Sequence, residues 1–398
     1  MPRDNAEVEL TCAERPRNRC LRVLVTQGEI KQYRVPFFTK LARALSQDGI
    51  SLRVAYSDPT HRDSRNDNCD LPEGLGLKVN GYLLPWRHLL YQPLLREVAA
   101  SDFVIAEHGT RYLLNYLLVL LSILGLKRVA LWGMGENRDK DRSKYSDWIR
   151  RRLVMGVDCC FSYTEGTKKY FKDCGIPEER ITVVQNAVDT GELSATVDSI
   201  SQSELTSARQ RLGIEENDPV ALYCGALDRD KGISFLLEAA RRIKLTVPRF
   251  HLIVAGGGPE SEVVKAAADA DQWIHYMGPR FGREKAMLFK MASVFLLPGY
   301  VGLAILDAFA AGLPLVTTNI PYHRPEVEYL ESGCNGFMTE ADVEIYASQV
   351  AFLLTNDLVR HQLSESARES ARKYSIEAMV SNFSIGIRTY LGLGGGYV

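Results

Sequence analysis

The chain lacks any run apolar enough to cross a bilayer. Its most apolar segment, Tyr112 to Leu126, is about fifteen residues with Asn115 and Ser122 inside, short of the roughly twenty a spanning helix needs. A buried helix is expected there. The eight cysteines form no CxxC pair and no His-rich spacing, which leaves no zinc or redox motif. Several of them (Cys159, Cys160, Cys224) lie in apolar runs, as expected of buried thiols in a reducing cytoplasm. The opening Met-Pro-Arg-Asp and the polar residues up to Cys20 contain no apolar core for a signal peptide. Residues 1–20 are therefore expected to be a disordered tail on a cytoplasmic protein. Repeats of 20–50 residues are missing, against a solenoid, and so are basic patches interleaved with aromatics, against nucleic-acid binding. No GxGxxG follows the first strand, where Thr26-Gln27-Gly28-Glu29 stands instead, and there is no P-loop. NAD-linked chemistry and P-loop nucleotide hydrolysis drop out.

What is present is ordinary globular composition over 398 residues, enough for two domains with a core in each. Net charge is −1, unevenly spread: residues 1–190 hold 29 Lys+Arg against 24 Asp+Glu, the remainder 19 against 25. A mildly basic first half suits an anionic partner such as a lipid phosphate, and peripheral membrane contact through that half is one expectation. Apolar strand-like runs alternate with helical patterns throughout. In the first half they are Leu21 to Thr26, Ile50 to Tyr56, Val104 to Ala106, Val129 to Trp132, Cys159 to Tyr163 and Ile181 to Val184. Helices are expected from Pro36 to Gln47, across Tyr112 to Leu126 and from about Asp141 to Val154. Between Ser57 and Gly76 a long polar loop holds His61, Arg62, Arg65 and Cys69 at no recognisable spacing. Gly191 to Asp218, rich in Ser, Thr and Glu, reads as linker plus one helix. The alternation then restarts at Val220. This pattern predicts parallel, doubly wound sheets. The expected units are 21–190, a linker at 191–217, 218–375, and a C-terminal helix and tail at 376–398.

The most informative stretch is Val294 to Thr318. Four apolar residues end at Pro298 and Gly299, a helical pattern runs from Val301 to Ala311, and Gly312 and Pro314 precede a second strand, Leu315 to Thr318. Ligands of open parallel sheets collect beyond strand carboxyl ends, where helix N-termini offer free N–H groups. Gly299 and Gly302 sit where bare backbone can approach a phosphate. Asp307 is the one charge on an otherwise apolar helix, so it requires a partner. Two further strand ends are glycine-rich: Gly225 to Gly232 after Tyr223, and Gly256-Gly257-Gly258 after Ala255. With Lys231 they suit a nucleoside diphosphate held by backbone amides and one ammonium, and Asp307 can accept from ribose hydroxyls.

These segments carry a family resemblance. Gly225-Ala226-Leu227-Asp228-Arg229-Asp230-Lys231-Gly232 is similar to G-R-L-x-x-x-K-G of the retaining glycosyltransferase family 4. Asn186-Ala187-Val188-Asp189 resembles its N-G-V-D, Val254 to Glu260 its glycine loop, and the central stretch its E-x7-E segment ending in A-x-G-x-P. The resemblance covers Leu21 to about Leu391. It implies the GT-B fold: two Rossmann-like domains facing across a cleft, with the last helix crossing back to the first. It further implies that the second domain binds a nucleoside-diphosphate sugar and the first an acceptor hydroxyl on a polysaccharide, lipid-linked glycan or small natural product. Transfer would retain configuration, with no metal and no cofactor beyond the donor. The donor-side residues it implies are Gly28, Gly225, Gly257, Gly258, Gly278, Arg280, Gly299, Val301, Gly302, Leu303 and Asp307. His108 would contact the sugar, Lys231 and Arg229 would offset the diphosphate charge, and Tyr33, Arg34, Glu107, Glu136, Asn137 and Arg138 would line the acceptor side.

The sequence also departs from the family pattern. Ala226 replaces the arginine, leaving Arg229 as substitute; Gly299 replaces the first glutamate, Asp307 shortens the second, and Met134 stands where a histidine is expected. His323 and Glu326 are candidates to compensate. Two other readings stay open: an epimerase using Glu107, Glu136 and Glu165 as acid and base, and a non-catalytic binder of nucleotide sugar or of a partner enzyme.

Overall fold

The computed structural model describes residues 20–58, 68–84, 89–136 and 144–393. His61, Arg62, Arg65, Asn137, Arg138 and all of the N-terminal tail but Cys20 lie outside the described residues. The first domain runs β1 (Leu21–Thr26), α1 (Arg34–Ser46), β2 (Ile50–Tyr56), β3 (Gly76–Lys78), the hairpin β4 (Tyr82–Leu84) and β5 (Leu89–Tyr91), α2 (Leu95–Ala100), β6 (Phe103–Glu107) and α3 (Leu113–Ile123). It continues with β7 (Arg128–Gly133), α4 (Lys144–Met155), β8 (Cys159–Ser162), α5 (Glu165–Asp173) and β9 (Ile181–Val183). Seven strands form one parallel sheet in the order β3-β2-β1-β6-β7-β8-β9. Its central strands are nearly continuous runs of buried Val, Ile, Leu, Ala and Phe, as sheets covered by helices on both faces require.

Two helices, α6 (Gly191–Ser199) and α7 (Gln202–Arg211), occupy the stretch expected to hold one; both pack on the second domain. A capping box was the overlooked signal: Ser201 Oγ accepts from the Glu204 N–H while the Glu204 carboxylate accepts from the Ser201 N–H. The second domain follows with β10 (Val220–Cys224), α8 (Ile233–Thr246), β11 (His251–Ala255), α9 (Ser261–Ala270), β12 (Ile274–Gly278), α10 (Gly282–Met291), β13 (Val294–Leu296) and α11 (Ala304–Ala310). Then come β14 (Leu315–Thr318), β15 (Gly336–Thr339), α12 (Val343–Thr355), α13 (Asp357–Lys373) and α14 (Ile376–Leu391). Its six parallel strands are ordered β12-β11-β10-β13-β14-β15.

Helix α14 leaves the second domain and covers the first-domain sheet. Phe383 is fully buried, stacked on Phe161 at 4.9 Å and edge-on to Trp132 at 4.9 Å. A side chain at Gly386 would meet the Phe161 ring at 2.6 Å, so the helix lies directly on the strand. Arg388 Nε donates to Asp48 at 2.7 Å and fixes its far end. Each sheet reverses its strand order once, between β1 and β6 and between β10 and β13. Those switch points are where open α/β sheets place ligands, and the two sets of strand-end loops meet. Gly166 N–H donates to Glu328 at 2.8 Å, and Asn186 N–H donates to the Tyr329 hydroxyl at 2.9 Å.

Candidate functional site

At the second-domain switch point the loops after β10 and β13 are locked together. Gly299 N–H donates to Lys231 O and Tyr300 N–H to Asp230 O, both at 3.1 Å. A Cβ at position 299 would lie 2.2 Å from Lys231 C and 2.4 Å from Asp230 O. Glycine is therefore required here by backbone against backbone, and the position where the family resemblance places a glutamate has no room for a side chain. The other glycines obey the same logic: at Gly256 (φ +149°) a Cβ would meet Gly225 O at 1.8 Å, and at Gly258 (φ +152°) Leu227 O at 2.7 Å. Gly225 N–H is spent on Ala255 O at 2.9 Å and Gly258 N–H on Ser261 Oγ at 3.0 Å. The expectation that these glycines bare their amides to a ligand is corrected for Gly225, Gly258 and Gly299, because loop-on-loop packing consumes the amides. Gly278 ends β12 at φ +63°. Nearby Arg280 faces Glu284 at 4.0 Å.

Lys231 is 7% exposed. Its Nζ sits 3.6 Å from the Tyr300 ring centroid and donates to Tyr300 O at 3.1 Å. The Arg324 guanidinium lies 5.4 Å from the same ring. Two cations thus converge on one loop. Arg229, the expected substitute for the missing arginine, is instead an exposed residue of the 3-10 turn Arg229–Lys231; Arg324 is the cation that sequence reasoning missed, since it follows a different strand. His323 is a brace: Nε2 lies 2.7 Å from Thr318 O and Nδ1 accepts from Val301 N–H at 2.9 Å. This fixes the neutral tautomer with the proton on Nε2 and commits the Val301 amide to the His323 ring. The N–H groups of Gly302, Leu303 and Ala304 donate to no partner among the described residues. They open α11, beside both cations, so an anion there meets amides and positive charge together.

Asp307 finds its partner in Lys285 of α10, 2.8 Å away and like it about three-quarters buried. Burial alone would lower the Lys285 pKa, but Asp307 outweighs it and the ammonium is held above its ordinary value. Lys285 was illegible in sequence because only the packing of α10 on α11 brings the two together.

The first-domain switch point is closed by side chains. Gly28 N–H donates to a Glu107 carboxylate oxygen at 3.2 Å, and a Cβ at Gly28 would meet the Tyr112 hydroxyl at 2.9 Å. Burial pushes the Tyr112 phenol well above its ordinary value. The Gly28 amide and the Glu107 carboxylate therefore hold each other. His108 is enclosed, its Nδ1 without a hydrogen-bond partner among the described residues. It is 7% exposed, edge-on to Phe171 at 5.7 Å, with Nε2 3.4 Å from Arg150 O and its Cβ against Gly133. Burial, helped by the Arg150 charge, lowers its pKa to about 3. The imidazole belongs to the α4–α5 packing layer. Met134 holds that layer too, its carbonyl accepting from Thr167 Oγ1 at 3.1 Å. Glu136 is partly exposed at the end of the described β7 loop, while Glu165 faces Lys168 at 3.9 Å on α5.

Arg34, expected in a loop, lies in the first turn of α1 and is 5% exposed. Its guanidinium stands 4.7 Å from the Trp132 ring and donates to the Tyr163 hydroxyl at 3.0 Å, with Tyr33 alongside. Across the domain boundary Glu326, 4% exposed, accepts from Asn186 Nδ2. Burial raises the Glu326 pKa even though the Asn186 hydrogen bond and the Arg34 charge oppose it. Arg34 Nη1, Trp132 Nε1 and Asn186 Oδ1 remain without hydrogen-bond partners among the described residues. Such buried polar atoms are costly, and here they gather where the two domains meet.

Two facing doubly wound domains bridged by a crossing helix define the GT-B class of fold. Anabaena HepE in complex with UDP has the same fold, with TM-score 0.66 and 15% identity over 93% of this chain and 100% of that one. So does sucrose-phosphate synthase of Thermosynechococcus elongatus, with TM-score 0.66 and 13% identity over 94% and 100%. The model described as glycosyl transferases group 1 matches residues 206–370, and that described as glycosyltransferase family 4 matches residues 37–192. The chain belongs to the GT-B glycosyltransferases of the family 4 type. Among its relatives are phosphatidyl-myo-inositol mannosyltransferase of Mycobacterium leprae, 26% identical over 46% of this chain and 50% of that protein, and alpha-monoglucosyldiacylglycerol synthase of Acholeplasma laidlawii, 25% identical over 45% and 46%. The chain spans about half the length of these curated relatives.

Proposed function

We propose that this protein transfers a sugar from a nucleoside diphosphate to a hydroxyl acceptor on a polysaccharide, a lipid-linked glycan or a small natural product, with retained configuration and without a metal. The observation that carries this reading is the convergence of Lys231 and Arg324 on Tyr300 beside the unbonded amides of Gly302 and Leu303. In transfer the glycosidic C–O bond to the diphosphate breaks, and charge accumulates on the leaving oxygen. Fixed donors and cations aimed there lower the barrier, the usual dominant effect in such sites. Lys231 is buried and held before the reaction, so little reorganisation is needed. In this reading Asp307, paired with Lys285 at 2.8 Å, accepts from ribose hydroxyls. Uridine diphosphate is the first nucleotide to test, because HepE is described with UDP and with UDP-glucose.

A second reading, a binder without turnover, is favoured by one observation: position 299 cannot carry the carboxylate that the family pattern places against the sugar. One experiment separates the two. Thermal unfolding is followed with UDP, GDP, TDP or ADP, and the nucleotide that binds is then supplied as its sugar donors. At a hundred times its dissociation constant a ligand adds about 2.7 kcal/mol of stability. The transferase reading expects stabilisation by one nucleotide, donor hydrolysis or transfer, and a loss of roughly 10²-fold in turnover for Lys231→Ala. Stabilisation without turnover selects the binder. No stabilisation by any nucleotide defeats both.

A further inference from the structure

The ion pair of Lys285 and Asp307 stands at the carboxyl edge of the second sheet, where α10 and α11 both begin. Cys224, the last residue of β10, lies within electrostatic reach of both partners. The pair therefore flanks the reversal of strand order between β10 and β13, on the side where open sheets hold ligands. Burial pushes the Cys224 thiol up to about 11, so the wall beside the pair is uncharged. The ring of Phe289, one helical turn after Lys285, lies 5.7 Å from Nζ and steadies the stem. The two side chains keep 26% and 23% of their surface open to solvent, enough for a ligand to reach them.

Hydrogen-bonding capacity is left over on both partners. An ammonium has three N–H donors, and a carboxylate accepts on two oxygens. Among the described residues Lys285 Nζ donates only to Asp307 Oδ2, at 2.8 Å, and Asp307 Oδ1 accepts from no group. Donors and an acceptor thus stand side by side, which suits a hydroxyl, since it gives one hydrogen bond and takes another. A carboxylate alone would serve only the giving half. Net charge points the same way. Lys231 and Arg324 gather two positive charges on one loop and suit phosphate, whereas Lys285 and Asp307 cancel and suit a neutral polyol. In a nucleoside diphosphate that polyol is the ribose, whose 2′- and 3′-hydroxyls are neighbours.

We propose that Lys285 contacts the donor directly: Nζ donates to the oxygen of the ribose 2′-hydroxyl while Asp307 Oδ1 accepts from the diol, so that the site selects ribonucleoside diphosphates over their 2′-deoxy counterparts. The inference rests on the reading of this site as one for a nucleoside diphosphate. A 2′-deoxyribose sets a C–H group against an ammonium N–H that is cut off from water and left unpaired. Sites that read a hydroxyl in this way reject analogues that lack it. TDP in its 2′-deoxy form is thereby excluded as the donor nucleotide, and UDP, GDP and ADP remain.

The test is titration calorimetry of the full chain with UDP, GDP and ADP, each beside its 2′-deoxy counterpart, and with inorganic diphosphate. The nucleotide that binds should do so about 10- to 100-fold more tightly than its deoxy form, the scale of one hydrogen bond to a charged group. Lys285→Met keeps the length of the stem and removes the ammonium. It should bring the two forms to within a few-fold of each other and leave the affinity for inorganic diphosphate unchanged, because Lys231 and Arg324 hold the phosphates. If the unpaired Asp307 carboxylate unfolds that variant, Lys285→Met with Asp307→Leu removes both charges at once and is expected to bind the two forms alike. Equal binding of ribo and deoxy forms by the wild type overturns the inference and leaves the nucleotide site standing. An undiminished ribose preference in the variants also overturns it, since the hydroxyl would then be read elsewhere, as does a parallel loss of diphosphate affinity, which would make Lys285 a support for the whole site. Binding of no nucleotide at all defeats the transferase reading and this inference together.

Discussion

Residue 299 concentrates what a single position can reveal. Its neighbours are main-chain atoms of Asp230 and Lys231, which cannot swing aside as a side chain would. Gly299→Ala should cost roughly 1–3 kcal/mol, the usual range for overpacking a tight site, and should weaken nucleotide binding by parting the two loops. Unchanged unfolding and unchanged nucleotide stabilisation in that variant would remove the lock from the argument. His108 makes a different point. Its folded pKa is about 3 against 6.5 for a free imidazole, so the unfolded chain binds the extra proton between those values. Stability contributed by the neutral ring is full above pH 6.5 and is lost as pH falls toward 3. His108→Gln should flatten this part of the stability profile. Rates should show no limb from this imidazole near pH 6.5; an NMR titration of His108 centred there would refute its burial. Lys231 and Gly302 were legible as residues because their glycine-rich surroundings are rare in sequence. Arg324, Lys285 and the His323 brace were not, because their chemistry lies in contacts between segments far apart in the chain.

At the scale of elements, apolar runs between polar breaks located most strands to within a residue or two at each end. Burial on both faces leaves these segments little choice of residue. Helix starts were less legible: α1 begins at Arg34, before the expected Pro36, and α11 is confined to Ala304–Ala310. In both cases tertiary partners override the local pattern: Arg34 is held by Trp132 and Tyr163, and Gly299 to Val301 are held by Asp230, Lys231 and His323. Helix α14 reads as an amphipathic helix with a Ser375 cap, but its partner surface belongs to the other domain. Phe383→Ala should cost about 3–5 kcal/mol, as for other fully buried aromatics, read from the denaturation midpoint. A loss under about 1 kcal/mol, the scale of a surface change, would mean that α14 is no part of the first-domain core.

For the whole molecule, the join between domains is polar, buried and incompletely paired. Glu326 is the telling group, because burial raises its pKa against the pull of Asn186 and Arg34. Its protonated form is the one the fold prefers. The stabilising contribution is thus present below the ordinary carboxylate value and is lost as pH rises through the raised one. Glu326→Gln keeps an oxygen for Asn186 and should be at least as stable as the wild type at pH 7, with a flatter stability profile above pH 4.5. A less stable glutamine variant at neutral pH would show that the carboxylate charge, paired with Arg34, outweighs its burial. By itself the sequence determined the class of fold, the alternation of strands and helices, the family and the loops that gather at the strand ends, since these follow from local periodicity and from short motifs. Only the tertiary structure decided which amides are spent, that His108 is enclosed, and that Arg324 rather than Arg229 joins Lys231. Hydrogen bonds between loops and burial between helices depend on distances that no spacing along the chain encodes.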